Sequence, residues 1–278
     1  MDPKLVNQFH EQGFLALPDA ISERQIQRVR RAAERIVDEF DIDAHRTVFS
    51  TGDRDRGRDD YFMDSAEAVH CFLEEDALDE TGHLRKPKHL AINKIGHALH
   101  DKVPEFGEFC RLPLFAETLS ELGYAQPVLW QTMYIFKQPH IGGEVRWHQD
   151  ASYLVSRPSC VTGIWIALED ATRDNGCLWV QPGGHRSPLR ELYEVDPVTR
   201  EGTLRTIGET PWPSDAEALA LEVSAGSVVF FNDHMPHYSS KNTSERSRHA
   251  LTLHVGEANA LWPETNWLQR PSLGHFIL

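Results

Sequence analysis

Two residue types in two stretches, histidine and aspartate, are able to bind a metal ion together. The first stretch reads Arg146-Trp147-His148-Gln149-Asp150 and follows a run of strand-forming residues. In extended chain, side chains two apart point to the same face, so His148 and Asp150 offer an imidazole and a carboxylate side by side. A later histidine would complete a triangle of two histidines and one carboxylate with open positions, the arrangement of non-haem Fe(II) oxygenases. Phe231-Asn232-Asp233-His234-Met235-Pro236-His237 supplies two candidates, His234 and His237, just after another strand-like run. A third stretch, Arg248-His249-Ala250-Leu251-Thr252-Leu253-His254-Val255, puts Arg248, Ala250, Thr252 and His254 on one face of a strand. An arginine followed on its own face by a small residue and a hydroxyl leaves room for an anion and a bidentate partner for it. Arg246 has the same parity and is the rival.

The elements around these residues fit a β fold with helices outside. Residues 128–136, 161–168, 177–180, 227–231 and 248–255 are rich in β-branched and aromatic residues and are separated by Gly/Pro-rich connections. This pattern predicts an antiparallel jelly roll, a cupin-like double-stranded β-helix. Lys4 to Gly13 predicts a short helix stopped by glycine. Ser22 and Gln25 form a capping box ahead of Ile26, Val29, Ala33, Ile36, Val37 and Phe40 at helical spacing, and a further helical piece runs from Leu114 to Leu122. Residues 41–64 lose all periodicity. The charged run 52–60 reads as a solvated loop, with a lid over a site as the alternative and Tyr61 and Phe62 placed to enter a pocket. The stretch 190–217 reads as polar and irregular. With no repeat and no linker, the expectation is one domain: a helical part at about 1–125, a jelly-roll core at about 126–258 and a carboxyl-terminal tail.

Composition narrows the function classes. The 278 residues carry 28 basic and 42 acidic side chains, a net charge of -14, which argues against nucleic acid as partner. No apolar run reaches the roughly 20 residues that span a bilayer, and no apolar leader is visible, so no membrane partner is expected. Cys71, Cys110, Cys160 and Cys177 are scattered without zinc spacing and read as reduced thiols of a cytoplasmic protein. No G-x-S-x-G elbow supports a hydrolase.

Taken jointly, His148-Gln149-Asp150, Asn175-Gly176-Cys177-Leu178-Trp179, Pro182-Gly183-Gly184-His185, His237 and Arg248-His249-Ala250-Leu251-Thr252 resemble the phytanoyl-CoA dioxygenase family. The longer runs, Ile92 to His100 and Met133 to His140, look closest to its domain-containing subgroup. Gly184 stands where the family usually has serine, and glycine also satisfies a tight turn. The resemblance implies His148, Asp150 and His237 as iron ligands and Arg248 as the partner of the distal carboxylate of 2-oxoglutarate. It also implies Lys94, Met133 and Trp165 in the co-substrate pocket, with Lys94 near the other carboxylate. The implied cofactors are Fe(II), 2-oxoglutarate and O2, with ascorbate a candidate reductant. The implied reaction is oxidative decarboxylation to succinate and CO2 coupled to hydroxylation of a small molecule. The acyl-CoA substrate is not carried over, because the substrate-facing loops match poorly. The alternative is a non-catalytic jelly roll that senses 2-oxoglutarate or holds a partner.

Overall fold

A computed structural model of the chain describes residues 2–49 and 60–278. The helices are α1 (Pro3–Gln12), α2 (Glu23–Glu39), α3 (Asp60–Asp64), α4 (Leu99–Lys102), α5 (Pro104–Cys110) and α6 (Pro113–Glu121). The strands are β1 (Phe14–Leu17), β2 (Val69–Leu73), β3 (Ile92–His97), β4 (Pro127–Ile135), β5 (Val145–His148), β6 (Thr162–Ala167) and β7 (Leu178–Val180). They continue as β8 (Glu191–Val195), β9 (Gly202–Thr206), β10 (Leu219–Leu221), β11 (Val228–Asn232), β12 (His237–Ser239), β13 (Ala250–Glu257) and β14 (Phe276–Ile277).

The large sheet has the order β1-β11-β6-β13-β4-β3-β2, with β14 also on β4; the small sheet runs β10-β7-β12-β5. This is the expected jelly roll. Its central strands alternate strictly. Ile164 and Ile166, Val228 and Phe230, and Leu251, Leu253 and Val255 face one apolar core. Gly163 and Trp165, Val229 and Phe231, and Thr252 and His254 therefore face the other way, as period 2 requires. Helix α2 covers the first face with Ile26, Val29, Ala33 and Val37, all in that same core. Ser22 caps it in a complete box with Gln25, a contact that contributes about 1 kcal/mol. Gly13 ends α1 at a φ of 82°, the left-handed cap that glycine adopts without strain.

Three elements differ from expectation. The amino-terminal part contributes β1, β2 and β3 to the large sheet as well as helices. Residues 191–206 form the hairpin β8–β9, where buried Tyr193 and Val195 anchor an otherwise polar stretch. Residues 248 and 249 precede β13 rather than open it. The lid reading falls largely on residues 50–59, outside the described residues. Among the described residues, no helix is long and apolar enough to cross a membrane.

Candidate active site

The small sheet brings the two histidines together by register. His237 on β12 lies directly opposite His148 on β5, and their ring centroids are 4.0 Å apart. The chain stays extended through Gln149, then turns into a short 3-10 segment beginning at Asp150. That carries the carboxylate under both rings, with Oδ1 3.7 Å from His148 Nε2 and 3.6 Å from His237 Nε2. The three ligand atoms lie within 4.8 Å of one another. His234 is not in the cluster: its amide is held by Asn232 Oδ1 and its carbonyl by Gln149.

The remaining ring nitrogens decide what this cluster is able to bind. His148 Nδ1 is 2.9 Å from the Arg146 carbonyl, and His237 Nδ1 is 2.9 Å from the Met235 carbonyl. A carbonyl only accepts, so both Nδ1 atoms carry hydrogen, and both Nε2 atoms are the ones turned towards Asp150 Oδ1. Burial would raise the Asp150 carboxyl, but His254, His237 and His148 outweigh it and hold the group far below the ordinary carboxylate range. Burial pushes His237 down, towards its neutral form. Two imidazole Nε2 atoms and an ionised carboxylate form the donor set that suits a divalent transition metal.

Two rows of residues across the large sheet build the floor. Met133, Thr252, Trp165 and Val229 lie in register on β4, β13, β6 and β11, and so do Gln131, His254, Gly163 and Phe231. The second row supports Asp150. His254 Nε2 is 3.1 Å from Oδ2, and Gln131 Nε2 lies 3.0 Å from His254 Nδ1. A side chain at 163 would collide with Asp150, because a Cβ there would stand 2.9 Å from Oδ2.

The cavity over these rows has a volume of about 180 Å³ and is lined mainly by apolar groups. Lys94, Met133, Trp165 and Arg248 all line it, as does Phe62; Arg246 does not. Tyr61 instead stacks on His70, with ring centroids 4.0 Å apart. Lys94 Nζ lies 3.4 Å over the Phe49 ring and 3.8 Å from Met133 Sδ. Arg248 is 2% exposed. Its Nε donates to the Gly176 carbonyl and its Nη2 to Ser239 Oγ, while Nη1 is buried with no partner among the described residues. Burial lowers this guanidinium to about 10, so it stays charged at neutral pH. A buried cation with an unused donor fits an anionic ligand, and a carboxylate satisfies it.

Sequence reasoning put His254 on the Arg248 face without finding its role, and missed Ser239 and Gly163. Ser239 was within reach, since it lies two residues beyond His237 on the same strand face. The other two act through cross-strand partners.

A jelly roll that brings His148, Asp150 and His237 together beside an arginine-lined cavity has the donor set of a metal-dependent oxygenase. The phytanoyl-CoA dioxygenase family pattern matches residues 9–250. The chain is 38% identical over 274 residues to a phytanoyl-CoA dioxygenase of Arabidopsis thaliana, covering 98% of this chain and 95% of that one. It is also 38% identical over 277 residues to the phytanoyl-CoA dioxygenase domain-containing protein 1 of Mus musculus, covering 97% and 95%. Among solved structures, it resembles the non-haem α-ketoglutarate-dependent carbocyclase SnoK from nogalamycin biosynthesis. That likeness has a TM-score of 0.67 at 19% identity over 95% of this chain and 87% of that one, a likeness of fold. The chain belongs to the phytanoyl-CoA dioxygenase family, and is an Fe(II)- and 2-oxoglutarate-dependent dioxygenase.

Proposed function

We propose that the protein hydroxylates a small molecule, with His148, Asp150 and His237 holding the iron. The observation that carries this reading is the convergence of His148 Nε2, His237 Nε2 and Asp150 Oδ1 in one cavity, with both Nδ1 positions committed to carbonyls. Bound iron supplies the coupling of O2 reduction to oxidative decarboxylation of the 2-oxo acid and oxygen transfer to a C–H bond.

The chain's own residues do the rest. Arg248, with Ser239 beside it, orients the distal carboxylate of 2-oxoglutarate, and Lys94 is the cation assigned to the carboxylate next to the 2-oxo group. Met133 and Trp165 form the apolar walls that exclude water between them. His254 holds Asp150 in one orientation throughout. The helices and sheets are read as one catalytic unit, and four cysteines without a disulfide are what supports the reading of a reducing compartment such as the cytoplasm.

The test is 2-oxoglutarate turnover with iron under air, read as succinate, with iron retention measured in parallel. His237→Ala abolishes both and His234→Ala keeps most of both. Retention of both by His237→Ala sinks the ligand assignment. Tight binding of iron and 2-oxoglutarate with no succinate points instead to a sensor.

A further inference from the structure

The cavity contains a second histidine environment, at the end of β3, that the metal cluster does not use. His97 is 1% exposed and lines the same cavity as His148 and His237. Its Nδ1 is 2.8 Å from Ser65 Oγ, and that oxygen is 2.5 Å from the Phe62 carbonyl. Ser65 has a single hydroxyl hydrogen, and a carbonyl only accepts, so the hydrogen goes to Phe62. Ser65 Oγ must then accept from His97 Nδ1–H, which leaves Nε2 as a bare lone pair in the neutral ring. Burial first, then the charge of Lys94, hold the ring well below its ordinary range, in that neutral form. Among the described residues Nε2 has no hydrogen-bond partner.

Packing holds the His97 ring in place. Trp267 meets the His97 ring edge-on at 4.9 Å and 73°, and Phe62 meets it at 5.5 Å and 70°. Phe62 and Trp267 lie 4.7 Å from each other and both line the cavity. One corner of the cavity is thus an aromatic wall with a single, oriented acceptor. A donor on a ligand in this cavity gains a hydrogen bond to that lone pair.

The geometry points to His97 as a specificity residue that selects a neutral substrate with a flat apolar body against Phe62 and Trp267 and a hydroxyl or N–H donated to Nε2. This rests on the reading above that the cavity is where the substrate is oxidised. An ether or a carboxylate at the same place has no hydrogen to give, and meets a lone pair with a lone pair. With the Lys94 ammonium, 5.6 Å from the Phe62 ring centroid, paired to the 2-oxoglutarate carboxylate, an anionic acyl group is disfavoured in this corner.

The probes are small cyclic alcohols paired with their methyl ethers and matching carboxylates: 2-indanol, 2-methoxyindane and indane-2-carboxylate first. Each is titrated by calorimetry into the iron- and 2-oxoglutarate-loaded protein under nitrogen. The alcohol is expected to bind about tenfold tighter than its ether, and the carboxylate weakest. His97→Phe erases the alcohol preference. Ser65→Ala frees the ring to carry its proton on Nε2 and shifts the preference towards the ether. If His97→Phe does not fold, Ser65→Ala and the nitrogen-15 spectrum of the zinc-loaded wild-type protein still decide, since the spectrum reports directly which ring nitrogen is protonated. Protonation at Nδ1 supports the proposal. Protonation at Nε2, equal binding of alcohol and ether, tighter carboxylate binding or no alcohol binding overturns it. Substrate-free succinate formation by the wild-type protein keeps the two readings apart: turnover without donor preference removes only the role of His97, and donor preference without turnover removes only the oxygenase reading.

Discussion

His254 Nε2 stands 3.1 Å from Asp150 Oδ2, the carboxylate oxygen turned away from His148 and His237. Oδ2 only accepts, so His254 donates there and its Nδ1 faces Gln131 Nε2. The carboxylate's second oxygen is thereby pinned from the large sheet while the first faces the two histidines of the small sheet. Such partners fix ligand orientation and typically carry 10–100-fold of metal affinity. His254→Phe should therefore weaken iron binding by about that factor while far-ultraviolet circular dichroism stays native. An unchanged iron dissociation constant would remove the role.

Arg248 leads to a prediction with two opposite signs. Its buried Nη1 has no partner among the described residues, so the ligand-free protein carries an unsatisfied donor on a buried charge. Arg248→Met removes that cost, and the melting temperature of the ligand-free protein should hold or rise. The same change removes the charge-assisted pair to 2-oxoglutarate, about 2–3 kcal/mol of binding. The rise in melting temperature on adding 2-oxoglutarate should disappear, with iron content unchanged. A variant that keeps that rise contradicts the assignment.

What the sequence shows of this site and what it hides divide along physical lines. His148 and Asp150 were legible because their spacing carries chemistry, whereas spacing left His237 beside His234 and Arg248 beside Arg246, and only the family resemblance chose between them. The parity of Thr252 and His254 with Arg248 was legible too, because alternation in a strand is local. The partner of His254 was not, since it lies 104 residues away and is reached only through the sheet. Gly163 gave no signal, as its role is to leave space. The hairpin β8–β9 was missed because Glu191, Glu194, Thr203 and Arg205 mask the buried Tyr193 and Val195.

Acid should destabilise the fold at a place remote from the metal. His249 faces away from the cavity, where its Nδ1 meets the Tyr134 hydroxyl at 2.9 Å and its amide donates to Glu169. Burial, partly opposed by Glu169, pushes this histidine down to about 4. Between pH 6.5 and about 4 the unfolded chain binds a proton that the folded one refuses, so stability falls as pH falls through that window. The histidine accounts for about 3 kcal/mol of it. Glu169 is held below its ordinary value despite burial, by His249 and its hydrogen bonds, so it loses stability in the same direction at the lower end. Urea midpoints across pH 4–7 should show the decline, and His249→Gln should flatten its upper part. A parallel slope in that variant would place the effect elsewhere.

Gly163 sets how closely the large sheet approaches the metal cluster. A Cβ built there lies 2.4 Å from Cε2 and Cζ of Phe231 and 2.9 Å from Asp150 Oδ2, closer than packed atoms allow. Gly163→Ala must therefore displace the Phe231 ring, the carboxylate or both. Overpacking of this kind costs about 1–3 kcal/mol, and moving Asp150 should also weaken iron binding by roughly tenfold or more. The two effects are separable, because they fall on different neighbours. Phe231→Leu added to Gly163→Ala shortens the side chain that meets the new methyl but leaves the approach to Asp150 unrelieved. The double variant should recover most of the lost melting temperature and little of the lost iron affinity. The two single changes should be strongly non-additive in stability, since they share one contact. If the double variant regains both together, the glycine is there for packing alone, and the space it leaves beside Asp150 has no part in holding the metal.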